Sequence, residues 1–228
     1  IKEDHQGHLW IGPYGGGLNL KKAGTTGYYE QYMPGKRAPY NLSSDMVRTV
    51  FIDSRKNVWA GTENGLNVKW AGKEVFDVFF PKVGDVHSIS GSIILSIFED
   101  SKGNIWFGNN GSGLFRYDGK SMTHVSEEIR RNNLSLNLSG QSSVGGLSRI
   151  YTINEDKIGN LWIGTVDNGV WRYGAGKLTH FTDKDGLTGN AVNIIYRDQN
   201  GELWFGTDKD GIFKFNGNSF ESFQIKNK

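Results

Sequence analysis

The stretch EDKIGNLWIGT, residues 155–165, decides how the rest of the chain is read, because the chain writes it five times. The other copies are EDHQGHLWIGP from Glu3, IDSRKNVWAGT from Ile52, EDSKGNIWFGN from Glu99 and RDQNGELWFGT from Arg197. In every copy an Asp (4, 53, 100, 156, 198) stands six residues before a Trp (10, 59, 106, 162, 204). A Gly follows each Trp two residues later, at Gly12, Gly61, Gly108, Gly164 and Gly206. Repetition this regular specifies an architecture before it specifies an activity.

The Trp-to-Trp spacings are 49, 47, 56 and 42 residues, a period that suits a four-stranded unit. Asp-x-x-Gly is type I turn chemistry, with the carboxylate able to accept from the turn amides and Gly tolerating positive φ. Apolar residues flank it, as Ile94 and Ile97 before one copy and Ile105 and Phe107 within it, so the unit begins as a hairpin. A second turn closes on Gly17, Gly65, Gly113, Gly169 or Gly211, followed by an aliphatic residue and aromatic strands such as Phe115–Tyr117 and Trp171–Tyr173. A last strand is clearest as MTHV at 122–125 and LTHF at 178–181. Each unit is therefore strand A, Asp-x-x-Gly turn, strand B with Trp-x-Gly, Gly turn, strand C, strand D.

Such a sheet buries its faces only by stacking on its neighbours, which predicts an all-β fold: a β-propeller of four-stranded antiparallel blades. Five blades, at about 1–35, 46–80, 93–125, 149–182 and 191–224, make one domain over 1–228, either as a ring or as part of a larger, seven-bladed one. A buried Trp removes ~150–250 Å² from water, an upper bound of roughly 4–6 kcal/mol, so the five indoles read as mortar between blades. The insertion 126–148 has too little apolar content for a core element, and its EEIRR segment is expected to form at most one helical turn. Blade two has Lys56 where Gly is expected, and blades one and three carry Pro13 and Asn109 in place of the Thr after Trp-x-Gly; distorted turns are expected there.

Composition excludes several classes of function. Net charge is +2 without a basic block, which gives nucleic-acid binding little support. Cysteine is absent, so neither a disulfide framework nor thiolate chemistry is available. Gly, at 32 of 228 residues, is accounted for by the turns. No apolar run approaches the ~20 residues that span a bilayer. Ile1 falls in the middle of a strand A, as expected of a piece of something longer.

The variable material gathers on the face that carries the B–C tips and the links between blades, where binding usually resides. Strand A sharpens this reading. Counting back from the repeat Asp, the sixth position (Val47, Ile94, Ile150, Val192) and the third (Val50, Ile97, Ile153, Ile195) are always apolar. The fifth changes character, as Arg48, Leu95, Tyr151 and Asn193. A position that varies while its neighbours hold still is released from packing and belongs near the mouth of the central channel. Arg48, Tyr151 and Asn193, with Asp45, Arg149 and Asn190 beside them, form the candidate ligand-binding set.

EDxxGNLWIGT, the Gly-aliphatic-aromatic strand, LTHFT and DGLTGNAV together resemble the two-component regulator propeller repeat, over nearly the whole chain. The resemblance implies the extracytoplasmic, periplasmic sensor region of a membrane-anchored bacterial histidine kinase, often a hybrid one responding to polysaccharide fragments. It implies a small-molecule or oligosaccharide ligand, a kinase region downstream in the same parent protein, no cofactor and no catalytic residue in this segment. It is compatible with a dimer formed through the parent protein.

Five histidines are the candidates for acid–base chemistry. His124 and His180 share one slot of strand D, and His5 and His8 flank the first Asp-x-x-Gly turn. His87, in a link, is the remaining candidate for a propeller lyase resembling the streptogramin lyases, or for a glycosidase. Asp208-Lys209-Asp210 offers two carboxylates without a fuller calcium ligand set, and the glycine tips at 15–17 and 111–113 do not open a helix. Catalysis needs an acid and a base converging on one place, which the sequence does not display. The expected function is a binding sensor, with a propeller enzyme or a protein-interaction scaffold as the alternatives.

Overall fold

A computed structural model describes residues 1–35, 41–79, 93–135 and 144–223. The fold is all-β, with five sheets of four antiparallel strands. Blade one is β1 (Lys2–Glu3), β2 (Leu9–Ile11), β3 (Leu18–Lys21) and β4 (Glu30–Tyr32); blade two is β5 (Val47–Ile52), β6 (Val58–Thr62), β7 (Gly65–Lys69) and β8 (Phe76–Phe79). Blade three is β9 (Ile94–Glu99), β10 (Ile105–Asn109), β11 (Leu114–Tyr117) and β12 (Met122–His124). Blade four is β13 (Ile150–Glu155), β14 (Leu161–Thr165), β15 (Val170–Gly174) and β16 (Lys177–Phe181). Blade five is β17 (Val192–Arg197), β18 (Leu203–Thr207), β19 (Ile212–Phe215) and β20 (Phe220–Phe223). Strand order within each sheet follows the sequence. Among the described residues no helix is long and apolar enough to cross a membrane.

The chain divides into two compact units, Ile1–Glu99 and Asp100–Lys228. Within each, the Trp-bearing face of one blade packs against the aliphatic and aromatic back of the next. In the first unit Trp10 joins Leu18 and Tyr32 of blade one to Val47, Val50 and Phe76 of blade two. In the second, Trp162 meets Phe205, Phe215 and Phe220 of blade five, and Trp106 meets Tyr173 of blade four. Trp10, Trp59, Trp106 and Trp162 are buried; Trp204 is half-buried.

The repeat glycines permit this closeness. A Cβ on Gly12 would lie 2.5 Å from Val47, one on Gly61 2.7 Å from Ile94, and one on Gly164 2.8 Å from the Val192 carbonyl, each on strand A of the following blade. Glycine here is a matter of blade spacing.

Two sequence expectations are corrected. Residues Val125–Ser135 form a three-turn helix, α1, where at most one turn was expected. Val125 and Ile129, four apart on one face, are buried, and Leu147 of the 3-10 turn Val144–Leu147 is wholly buried. Ser126 Oγ accepts from the Leu114 amide and anchors the helix start to blade three. Nor is the blade-two turn distorted. Lys56 takes up φ 69°, and its amide donates to the Asp53 carbonyl at 2.9 Å, as the glycine amide does in the other copies. In blade three Asn109 Oδ1 accepts from the amides of Ser112 and Gly113, replacing the hydroxyl that Thr165 and Thr207 supply at the same tip.

Candidate functional site

The invariant Asp-to-Trp spacing has a direct cause. In all five blades Asp Oδ2 accepts the indole N–H of its own Trp: Asp4–Trp10 at 3.0 Å, Asp53–Trp59 and Asp100–Trp106 at 2.8 Å, Asp156–Trp162 and Asp198–Trp204 at 2.9 Å. The other oxygen accepts turn amides, as Asp156 Oδ1 does from Ile158 and Asn160. Burial works against the charge of Asp4 and Asp156, but the indole and amide donors outweigh it and hold both carboxyls below the usual carboxylate range. The Trp204 N–H does the same for Asp198. These carboxylates are fully engaged in structure.

A second device was not read from the sequence. Glu99 at the end of β9 accepts from Ser54 through both its amide and its hydroxyl, at 2.7 and 2.6 Å. Glu155 at the end of β13 does the same for Ser101 at 2.9 Å. Each pair fastens the strand-A end of one blade to the Asp turn of the blade before it. The signal was present as Glu before one repeat Asp and Ser after the preceding one. At the junction of blades four and five both positions change, to Lys157 and Arg197. Arg197 Nη1 there donates to the Glu155 carbonyl instead.

The candidate set falls on the rim where strand A begins. Pairing skips a residue between Val47 and Thr49, between Ile150 and Thr152, and between Val192 and Ile194. The bulged residues are Arg48, Tyr151 and Asn193, the variable position of the repeat, and all three are exposed. Bulges leave a residue unpaired and re-aim its side chain, which is why this position is free to vary. In the first unit Arg48 is committed: it ion-pairs with Glu63 and lies 4.6 Å over the ring of Tyr14, whose hydroxyl also donates to Glu63. Asp45, beside it, accepts the Gly17 amide through its backbone carbonyl. In the second unit Arg149 bridges Asn110 at 3.1 Å and Asp167 at 3.2 Å, tying the B–C tips of blades three and four. Asn190 contributes its carbonyl to the Gly169 amide.

Strands β13 and β17 run side by side, joined by Asn154 to the Ile195 carbonyl and by the Ile195 amide to Thr152. Tyr151 and Asn193 thus occupy matching places on neighbouring strands, with Arg149 two residues upstream of Tyr151. The structure brings these three to one stretch of rim.

The two strand-D histidines have structural partners. His124 and His180 donate Nε2–H to the carbonyls of Ser112 and Asn168, and stack on Phe115 and Trp171. His87 lies outside the described residues. Two clefts lie elsewhere, between blades on the Asp-turn side. One of about 360 Å³ in the first unit is lined by Trp10, Tyr32, Val58 and Trp70. One of about 420 Å³ in the second is lined by Lys157, Trp162, Arg172, Leu203 and Phe215. Neither includes a residue of the candidate set.

Comparison with known proteins gives the repeat a family. Residues 41–64, 88–111, 145–167 and 186–209 match the repeat described as Two component regulator propeller. Histidine kinase P4 of Formosa agariphila is 31% identical over 200 residues, spanning 84% of this chain and 13% of that protein. In fold, the chain is similar to the extracellular domain assigned to a hybrid two component system of B. thetaiotaomicron (TM-score 0.76, 24% identity, 97% of this chain and 29% of that one). It is also similar to virginiamycin B lyase from Staphylococcus aureus (TM-score 0.68, 17% identity, 100% of this chain and 69% of that one). The chain thus spans a small part of the histidine kinase it matches. The Asp–Trp unit recurs in every blade, and four of the chain's five blades carry the two component regulator propeller repeat.

Proposed function

We propose that this chain is a ligand-sensing module of a bacterial two-component signalling protein, non-catalytic in itself. It recognises a carbohydrate at the rim where strand A begins, from the extracytoplasmic, periplasmic side of a membrane-anchored parent whose histidine kinase region lies downstream. The observation that carries this reading is the pair Tyr151 and Asn193. They are exposed side chains at bulges on adjacent strands, close to Arg149, which Asn110 and Asp167 hold in place. An aromatic ring beside amide and guanidinium donors suits a sugar, which offers C–H faces and hydroxyls together. The likeness to virginiamycin B lyase is one of fold, and His124 and His180 are engaged by backbone carbonyls.

Isothermal calorimetry of the chain against a panel of neutral and acidic oligosaccharides tests this. Tyr151→Ala and Asn193→Ala are each expected to weaken binding about tenfold or more with an unchanged melting temperature. Full affinity in both variants removes this rim from the site.

A further inference from the structure

The cleft between blades four and five gathers two cations, Arg172 and Lys157, from neighbouring blade elements. On strand C, the residue paired across from the repeat Trp is cationic in three blades: Arg116, Arg172 and Lys214. Each lies over its indole, at 5.8, 5.5 and 5.7 Å. In blade five Glu202, four residues after the repeat Asp, ion-pairs with Lys214. The same place in blade four is Asn160, whose amide is spent on Asp156 at 2.9 Å. Arg172 therefore touches the rings of Trp162 and Phe181 and has no carboxylate partner among the described residues.

Lys157 is the second departure, and it falls at the same place. Blades two and three put Ser54 and Ser101 there, each received by a glutamate of the next blade. Blade four puts a lysine there, and blade five meets it with Arg197 in place of the glutamate. The Lys157 stem lies across Gly201, where a Cβ would meet it at 2.6 Å, and its ammonium has no acidic partner among the described residues. Two cations without an acidic partner among the described residues thus meet at one cleft, whose lining also includes Leu203, Phe215 and the Glu202–Lys214 ion pair. Nearby Asp156 is already saturated by four donors.

We propose that this cleft is a binding site for a small oxyanionic ligand, a carboxylate or sulfate carried on a sugar-sized body. Arg172 presents its planar fork to the oxyanion, a geometry that matches carboxylate and sulfate alike. Lys157 closes over it as a second charge, and Leu203 and Phe215 receive the apolar face. At about 420 Å³ the cleft is within the range of small-ligand sites. This site is separate from the rim of Tyr151 and Asn193, and the two stand or fall independently.

The test is an amide and indole NMR titration of the chain with D-galacturonate, D-galactose 6-sulfate and neutral D-galactose. Expected are saturable shifts at Gly201, Asn160 and the Trp162 indole N–H with one or both acidic sugars, and none there with galactose. A response to galacturonate alone assigns a carboxylate, and one to the sulfate ester alone assigns a sulfate. Arg172→Gln is expected to weaken binding about ten- to a hundredfold, Arg172→Lys less, and Lys157→Gln, at an exposed position, severalfold without loss of fold. No saturable shift with either acidic sugar, an equal response to galactose, or unchanged affinity in folded Arg172→Gln or Lys157→Gln overturns the site.

Discussion

Lys56 shows how strongly the Asp turn is specified. The equivalent residues Gly7, Gly103, Gly159 and Gly201 have φ of 77, 76, 83 and 73°, and Lys56 is forced to 69° beside them. The left-handed region costs an L-residue about 1–2 kcal/mol, partly offset by the extra chain entropy a glycine would lose. Lys56→Gly is therefore expected to raise stability by about 1 kcal/mol in urea denaturation. The carboxylates that organise these turns give the protein a particular acid response. Asp4, Asp156 and Asp198 hold a proton less tightly in the fold than in the unfolded chain. Their contribution is fully present above the unfolded carboxylate value of ~4 and is lost as pH falls through the lower folded values. The melting temperature is expected to be nearly flat from about pH 7 to 5 and to drop below about pH 4, with a shallower drop in Asp156→Asn. At neutral pH that variant is expected to lose about 1–2 kcal/mol, because the amide replaces one acceptor oxygen with a donor facing donors.

Helix α1 is where composition misled. Its buried stripe is only Val125 and Ile129, and its third contact, Leu147, arrives from another turn 18 residues after Ile129, so no local window holds enough apolar signal. The helix is also stabilised by charge at its start. Arg130 and Arg131 pair with Glu127, and the Arg130 bond holds that carboxyl down at about 2. Ile129→Ala is expected to cost about 2 kcal/mol and to strip amide-exchange protection from the helix while the strands of blade three keep theirs. The strands themselves were legible because each unit repeats the same alternation around an indole. Arg48, Tyr151 and Asn193 were legible as a position that varies between constant neighbours, although the bulge that frees them was not. The Arg172 and Lys157 cleft was not read, for a geometric reason. Seeing that Lys157 lacks its glutamate requires knowing that the end of one strand A meets the turn of the blade before it, across 40 residues of sequence.

Across each unit the same joint is used, so stability is shared between neighbours rather than held blade by blade. Trp162 is the clearest case: one edge is bonded to Asp156, and its faces meet Phe181 of its own blade and Phe205, Phe215 and Phe220 of the next. Blade five presents the corresponding face without such cover. Ile212 and Phe223 are 41% and 53% exposed, where Val170 and Phe181 at the same places of blade four are 0% and 6%. Trp204 sits on that open face against Phe223 and Lys214. The same substitution should therefore have unequal effects. Trp162→Ala is expected to cost about 3–5 kcal/mol through lost burial and a cavity that rigid neighbouring rings cannot close. Trp204→Ala, at a position already partly open to water, is expected to cost about 1–2 kcal/mol. Urea denaturation followed by far-UV circular dichroism reads both. Equal losses would mean that the indoles act within their own sheets, and that the faces between blades contribute little to holding them together.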